Sequence, residues 1–298
     1  GRKVRLELTT AGAVGALAAW ANPVLRVAGT PAKKRPNLVV VALDTVRADR
    51  LSLYGFGRPT SPNLDALGAR GVVFEHAFSN ANWSRPSYFS ILSGKMPNNL
   101  GIPLNRFNIT TPEMNHFHRH NKLTLPFLLA REGYRTLAVG NNHFIVQEQS
   151  REGVGRLGLD VGFEEVWNVN LPDGRDSDRI VERVDRFLSG RTGDPFFLFV
   201  TLDNAHFPYE PRKDFRDGWT TCGNCDDSEE FRYLGGIAQT DAALGDILAS
   251  LARNKLADDT IVVVFADHGE SFDPVHDYEF PRRGLGSVEW CRTRFDHG

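Results

Sequence analysis

The most constraining feature of the sequence is a short apolar run that ends abruptly in an acid and a histidine. The run is Ile261–Phe265, and Asp267 and His268 follow it after a single alanine. A continuous β-branched run without alternation is typical of a strand covered on both faces, as in a parallel sheet. The side chains of such a strand reach a cleft only where it ends, so the pair is a candidate ligand-binding group. On these residues alone, a polar turn closed by Gly269 is the other interpretation.

The same arrangement, an apolar strand followed by polar residues, occurs four times along the chain. The polar residues that follow the four strands are Asp44; Asn141 and His143; Asp203 and His206; and Asp267 and His268. Helical patterns lie between these strands, which indicates an α/β fold with a mostly parallel central sheet and helices on both faces. All strand ends then open on one rim, so a single polar site is favoured over four unrelated turns.

Apolar spacing and end signals predict further helices at residues 63–70, 123–132, 176–188 and 229–254. Gly235 and Gly236 mark a potential break in the last of these helices, since glycine is a poor helix former. Residues 72–74 are a candidate short strand. The acids Asp241 and Asp246 are interpreted as solvated charges.

Ser84 lies just before another predicted helix, which has Pro86 near its start and Gly94 at its end. A helix N-terminus presents free backbone N–H groups and favours anions, which suits a nucleophile that must hold a phosphate or a sulfate. An ordinary N-cap serine explains the pattern equally well. The residues alone leave both interpretations open.

Composition and the N-terminal residues limit the remaining possibilities. The 298 residues carry a net charge of -2, so no basic surface argues for nucleic acid. The lone Cys222-x-x-Cys225 pair supports a local disulfide or two free thiols better than a zinc site. Basic residues followed by the small apolar stretch Ala11–Ala21 make residues 1–35 a signal-like or membrane-proximal segment with a linker. We therefore predict export to the periplasm or the extracellular space, or membrane association, with a globular domain at residues 36–298.

Four segments together resemble the sulfatase family of the alkaline phosphatase superfamily. They are NLVVVALDTVRADRLSLYG, NWSRPSYFSILSG, LDNAHFPYEP, and TDAALGDILASL leading to TIVVVFADHGES. The resemblance covers about residues 36–298 and implies an alkaline phosphatase-like fold without the family's smaller C-terminal subdomain. It also implies an enzyme, a metal-dependent hydrolase of sulfuric esters, whose substrate is a small-molecule or glycan sulfate ester.

Matching motif positions imply a role for each candidate site residue. The metal ligands are Asp44, Asp267 and His268; the catalytic residues are Ser84, His206 and His143; and the substrate contacts are Asn141 and His297. The resemblance implies one divalent metal ion, with calcium first. The carboxylates also suit magnesium, and the imidazole admits manganese or zinc.

Three positions depart from the family pattern and leave the chemistry of Ser84 open. Tyr88 stands where the signature has an arginine that assists the conversion of cysteine or serine to formylglycine, Asn141 replaces a lysine, and Thr45 replaces a second aspartate. Formylglycine at Ser84 would fit a sulfatase. An unmodified serine would fit a phosphoester or phosphonoester hydrolase, or a phosphoethanolamine- or phosphoglycerol-type transferase. A catalytically inactive relative that binds metal or anions is the third alternative.

Overall fold

The computed structural model describes residues 35–101, 110–120, 124–142, 159, 162–169, 176–191, 193–218 and 229–272. Strands and helices alternate along the chain, as the apolar runs predict. In chain order they are β1 (Asn37–Leu43), α1 (Pro62–Gly68), α2 (Ser84–Ser93), α3 (Thr111–His120), α4 (Leu125–Arg131), β2 (Arg135–Gly140), β3 (Glu165–Asn168), α5 (Asp176–Ser189), β4 (Phe196–Leu202), α6 (Lys213–Asp217), α7 (Glu229–Arg253) and β5 (Thr260–Ala266). Of the candidate site residues, His143 and His297 lie outside the described ranges, as do Cys222 and Cys225.

The five strands form one sheet in the order β3-β2-β4-β1-β5, and every pairing is parallel. The predicted parallel α/β fold is therefore confirmed. The last residues of β1, β4 and β5 are in register with one another. As a result, the next residue of each of these strands leaves the sheet at the same carboxyl edge, and all three are aspartates: Asp44, Asp203 and Asp267.

Each face of the sheet is covered by its own apolar core. Side chains of α1, α5 and α7 pack on one face, and side chains of α2, α3 and α4 pack on the other. Strand β1 serves both cores by alternation, since Val39 and Val41 belong to the first and Val40 and Ala42 to the second. All seven residues of the central strand β4 are buried. This two-sided burial fixes the sheet edge from which the polar residues project.

The prediction that the strand at Ile261–Phe265 is covered on both faces is wrong for the described part of the chain. Ile261 is 51% exposed and Val263 is 42% exposed, whereas Val262 and Val264 pack against the core of α5 and α7. The physical reason is position, because β5 is the outermost strand on this side of the sheet. The segment at residues 72–74 is also not a strand, and Val72 is 81% exposed.

Helix α7 runs unbroken through Gly235 and Gly236, contrary to the suspected break. A Cβ added to Gly236 would lie only 2.2 Å from the carbonyl oxygen of Asn204. The glycine therefore allows the helix to approach the segment that follows β4, and it does not interrupt the helix. Within the described ranges, no helix has the length and apolar character needed to cross a membrane.

Asp241 is not a solvated charge, although its spacing along α7 suggested one. The residue is 4% exposed, and its carboxylate accepts hydrogen bonds from the backbone N–H groups of Asn63 and Leu64, both at 2.9 Å. Both N–H groups belong to the first turn of α1, where the helix itself supplies no acceptor. Asp241 thus serves as an N-cap supplied by a different helix and fixes α1 on α7, while Asp246 is exposed as expected.

Candidate metal centre and active site

The structure brings Asp44, Asp267 and His268 together at the carboxyl edge of the sheet. One potential ligand atom of each lies within 4.8 Å of the others, and all three side chains are buried. The Nε2 atom of His268 is 3.6 Å from Asp44 Oδ1 and 3.5 Å from Asp267 Oδ2. The two carboxylates thus have oxygen atoms within 4.8 Å of each other, and buried carboxylates this close repel unless a positive charge lies between them. These are the three residues that the family resemblance implies as metal ligands, although Asp44 is more than two hundred positions from the other two.

The hydrogen bonds of His268 orient its ring for metal binding. Its Nδ1 lies 2.8 Å from the carbonyl oxygen of Gly269. A carbonyl can only accept, so Nδ1 donates and, in the neutral ring, Nε2 carries the lone pair that faces the two aspartates. Desolvation lowers the pKa of His268 and favours this neutral form. A histidine ligand whose other nitrogen donates to a backbone carbonyl is the usual arrangement in metal sites.

Asp267 has one satisfied oxygen and one orphaned oxygen. Its Oδ1 accepts hydrogen bonds from the backbone N–H groups of Thr45, at 3.2 Å, and His268, at 2.9 Å. Its Oδ2 finds no hydrogen-bond partner in the part of the chain that the structure describes. Burial, and then the negative charge of Asp44, raise the pKa of Asp267 well above its usual range. An orphaned, buried carboxylate oxygen beside an imidazole lone pair fits a divalent cation.

Thr45 shapes the turn that carries Asp44 into the site. Its φ of 61° lies in the left-handed region, which is uncommon for a residue other than glycine. Tyr233 donates a hydrogen bond to the Thr45 carbonyl at 2.8 Å, and the Thr45 hydroxyl donates to the Ala205 carbonyl at 2.9 Å. These contacts hold the turn so that the Thr45 N–H points at Asp267. The residue that replaces the second aspartate of the family pattern therefore joins β1 to β5 through its backbone.

Ser84 is the first residue of α2, and its hydroxyl reaches the acid–imidazole group. Its Oγ lies 3.0 Å from His268 Nε2 and 3.3 Å from Asp44 Oδ1. The N-cap position belongs to Trp83, and Ser84 is 6% exposed. A buried hydroxyl beside these atoms and at a helix N-terminus is placed for nucleophilic chemistry on an anion. The structure therefore places the Ser84 hydroxyl in contact with His268 and Asp44, a contact that an ordinary N-cap serine would not need.

Asn142 belongs to the site, but the sequence analysis gave it no role. Its Nδ2 donates a 2.7 Å hydrogen bond to Asp44 Oδ2, so both oxygens of Asp44 have partners, with Ser84 on Oδ1. Asn142 follows β2, which is two strands away from β1. The signal that could have found it was its place in the polar stretch after an apolar strand.

We expect the Asn142→Ala substitution to weaken Mn²⁺ binding by about tenfold or more, because Asp44 loses the bond that orients it. Isothermal titration of the metal-free protein measures this change. Asn141→Ala is the matched control, since that neighbouring amide contacts Asp176 and Asp203 and should leave the affinity within about twofold. Equal affinity of Asn142→Ala and wild type would show that this bond does not support the metal site.

Asn141 lies behind the acid–imidazole group. Its Nδ2 donates to Asp176 Oδ2 at 3.1 Å and also to Asp203 Oδ1. Burial, and then the charge of Asp44, raise the pKa of Asp203 to about 7. An amide is a suitable neutral partner for two crowded carboxyl groups. The predicted contact between Asn141 and substrate stays a prediction.

His206 lies on the exposed side of the same edge, after β4. Its Nδ1 lies 2.7 Å from the Phe207 carbonyl oxygen and therefore donates to it, which leaves Nε2 for a ligand. Protein atoms crowd the ring and this desolvation lowers its pKa, but the Asp44 charge, the Phe207 carbonyl and the Asp203 charge outweigh it and raise the pKa overall. His206 comes three positions after Asp203, the residue that follows β4 at the same edge of the sheet.

The protein has a parallel α/β fold, and the carboxyl edge of its sheet carries a buried acid–imidazole group that could hold a metal ion. The hydroxyl of Ser84 contacts that group. The chain belongs to the sulfatase family, whose family model (Sulfatase) matches residues 36–289. Metal dependence is a property of this family, and the described part of the chain contains a buried group that could hold a metal ion.

Comparisons with individual proteins agree with this assignment. Human N-acetylgalactosamine-6-sulfatase is 25% identical over 273 residues, a match that covers 80% of this chain and 51% of that protein. The chain thus spans about half the length of the curated relatives it matches.

Two solved structures share the fold. The phosphonate monoester hydrolase of Agrobacterium radiobacter has a TM-score of 0.61 and 16% identity, covering 79% of this chain and 63% of that one. The C-terminal periplasmic domain of EcEptC from Escherichia coli, in complex with Zn, has a TM-score of 0.57 and 19% identity, covering 82% and 67%.

Proposed function

We propose that the protein is a metal-dependent hydrolase of sulfate esters that uses Ser84, or formylglycine derived from it, as its nucleophile. The observation that carries the proposal is the contact of the Ser84 hydroxyl with His268 Nε2 and Asp44 Oδ1, at 3.0 and 3.3 Å. Membership of the sulfatase family supports the choice of sulfate. A sugar sulfate is the proposed substrate class, because the similar human protein is named as an N-acetylgalactosamine-6-sulfatase.

Each residue has a chemical task in this proposal. Asp44, Asp267 and His268 would hold the cation, which when bound stabilises the ionised nucleophile and offsets the negative ester oxygens. Ser84 would attack sulfur or phosphorus in line with the leaving oxygen. His206, with Nδ1 held by the Phe207 carbonyl, would donate a proton to the leaving oxygen through Nε2. His143, Asn141 and His297 remain predicted contacts of the substrate or the leaving group.

A second candidate function is hydrolysis or transfer of a phosphoester or phosphonoester by unmodified Ser84. Tyr88 favours it, since it replaces the arginine that assists formylglycine formation. The fold shared with a phosphonate monoester hydrolase is compatible with it. The metal is equally open in this proposal: calcium or magnesium suit the carboxylates, and His268 adds manganese and zinc. Export or membrane association likewise stays a prediction.

The test is turnover of nitrophenyl sulfate against nitrophenyl phosphate and a nitrophenyl phosphonate monoester, by the full chain loaded in turn with Ca²⁺, Mg²⁺, Mn²⁺ or Zn²⁺. We expect sulfate-selective turnover that EDTA abolishes. Phosphonate- or phosphate-selective turnover would replace the first proposal by the second. No turnover of any ester, by a protein that binds metal, would favour the inactive metal- or anion-binding relative.

The mass of the peptide that contains Ser84, isolated from a native source, separates the two forms of the nucleophile. Conversion of serine to formylglycine removes two hydrogens and lowers the mass by about two units. A peptide of unaltered mass would contradict the formylglycine form.

A further inference from the structure

Tyr88 lies one helical turn after Ser84 on the same face of α2. Residues four apart on a helix are neighbours, and long helical side chains point back towards the N-terminus. The Tyr88 ring therefore extends along the turn that carries Ser84. Its edge packs on Phe199 of the central strand, with the ring centroids 6.3 Å apart and an interplanar angle of 75°. Tyr88 thus lies between the first turn of α2 and the central strand of the sheet.

The hydroxyl of Tyr88 is buried without a partner. The residue is 0% exposed, and its oxygen makes no hydrogen bond within the described ranges. Buried tyrosine hydroxyls usually have a partner, because an unpaired one loses its bonds to water without replacement. Because this buried donor has no acceptor within the described ranges, it is a candidate to donate to an atom of a bound ligand.

The negative charges of the site affect the pKa of the Tyr88 phenol. Burial raises the pKa of the phenol well above its usual range, and the charges of Asp267, Asp44 and Asp203 raise it further. The phenol therefore remains protonated, and its hydroxyl can act as a hydrogen-bond donor.

We propose that the Tyr88 hydroxyl donates a hydrogen bond to an oxygen of a tetrahedral oxyanion bound beside Ser84. The inference rests on the proposed function, since it needs a metal site that binds a sulfuryl, phosphoryl or phosphonyl group. A neutral donor at this position holds one anionic oxygen while the cation neutralises others. The competing acceptor is Asp267 Oδ2, which also lacks a hydrogen bond in the described part of the chain. If Tyr88 served that oxygen, its loss would weaken metal binding.

The test is the Tyr88→Phe variant of the full chain, loaded with Mn²⁺ and titrated with inorganic phosphate and, separately, with inorganic sulfate. The variant removes one oxygen and leaves the ring on Phe199. We expect the dissociation constant for the anion to rise about tenfold, because one buried hydrogen bond to a charged group is lost. We also expect the melting temperature without anion to stay the same or rise, since the lost hydroxyl has no partner among the residues that the structure describes. Mn²⁺ affinity should not change.

Tyr134→Phe is the matched control. Tyr134 belongs to the same apolar core and is 8% exposed, but its hydroxyl donates to the Pro36 carbonyl at 2.9 Å. Its loss should lower the melting temperature and leave anion binding unchanged. The two variants thus distinguish a hydroxyl that binds a ligand from one that stabilises the fold.

Three results would overturn the inference. Unchanged anion affinity in Tyr88→Phe would show that the hydroxyl does not touch the anion. A melting temperature lowered as in Tyr134→Phe would show that its partner belongs to the fold, and weakened Mn²⁺ binding would identify that partner as Asp267. Failure of the proposed function is distinguishable, because it is measured as the turnover of esters by wild type, whereas the inference is measured as the anion affinity of Tyr88→Phe relative to wild type.

Discussion

Replacing Ser84 by alanine is expected to lower kcat/KM for the preferred ester at least about a thousandfold, because the attacking oxygen is removed. The fold should persist, since the N-cap of α2 is Trp83 and not Ser84. Metal should also remain bound, because the three proposed ligands are untouched. Steady-state kinetics and the metal content of the purified variant measure the two outcomes together.

Ser90→Ala is the matched control for this experiment. Ser90 is on the same helix and is 2% exposed. Its hydroxyl donates to the Lys95 carbonyl at 2.7 Å and accepts from the Asn80 amide at 2.6 Å, and neither partner belongs to the acid–imidazole group. Its activity should stay within about threefold of wild type. Full activity of Ser84→Ala with metal bound would contradict the nucleophile assignment. Loss of metal from Ser84→Ala would instead make the hydroxyl a structural part of the metal site.

The sheet and the core of the site could be predicted because their signals are local. An apolar run followed at once by an acid marks the end of a buried strand, and parallel strands end at a common edge. Register then aligns the residues that follow β1 and β5, so Asp44 and Asp267 meet although 223 positions separate them. The local signals place both carboxylates at one edge of the sheet, and the strand order, in which β1 and β5 are neighbours, brings them together.

The choice between Asn141 and Asn142 could not be predicted in the same way. The two residues are chemically identical, and which amide faces Asp44 depends on how β2 leaves the sheet. A Cβ on Gly140 would lie 1.8 Å from the Thr201 hydroxyl, so the chain passes close to β4 at this point. This contact sets the path of the following residues, and Asn142 reaches Asp44 while Asn141 turns to Asp203. Such a contact depends on packing between distant segments.

The misread features of α7 have the same cause. Asp241 looks like a surface charge because its partners, Asn63 and Leu64, are 178 and 177 positions away. Gly236 looks like a helix breaker because nothing local shows the Asn204 carbonyl against it. Periodicity indicates which face of a segment is buried, but which residues pack against that face depends on the tertiary structure.

Replacing Asp267 by asparagine is expected to abolish stabilisation by the cation. At a free cation concentration about a hundred times the dissociation constant, wild type gains about 2.7 kcal/mol in its free energy of unfolding, and the variant should gain none. Asparagine keeps an Oδ1 that can accept from the N–H groups of Thr45 and His268. It replaces the orphaned, charged Oδ2 with an amide NH₂, which cannot bind a cation. Thermal or denaturant unfolding with and without Mn²⁺ measures the difference.

Asp241→Asn controls for the loss of a buried acid elsewhere in the fold. The Asp241 carboxylate faces the first turn of α1 and not the acid–imidazole group, so this variant should keep the wild-type response to Mn²⁺. A wild-type response in Asp267→Asn would exclude Asp267 as a ligand. If metal-free Asp267→Asn were much less stable than metal-free wild type, the carboxylate would be needed by the fold itself. We do not expect that outcome, because Oδ2 makes no hydrogen bond within the described ranges. Replacing it should therefore cost the metal-free protein little stability.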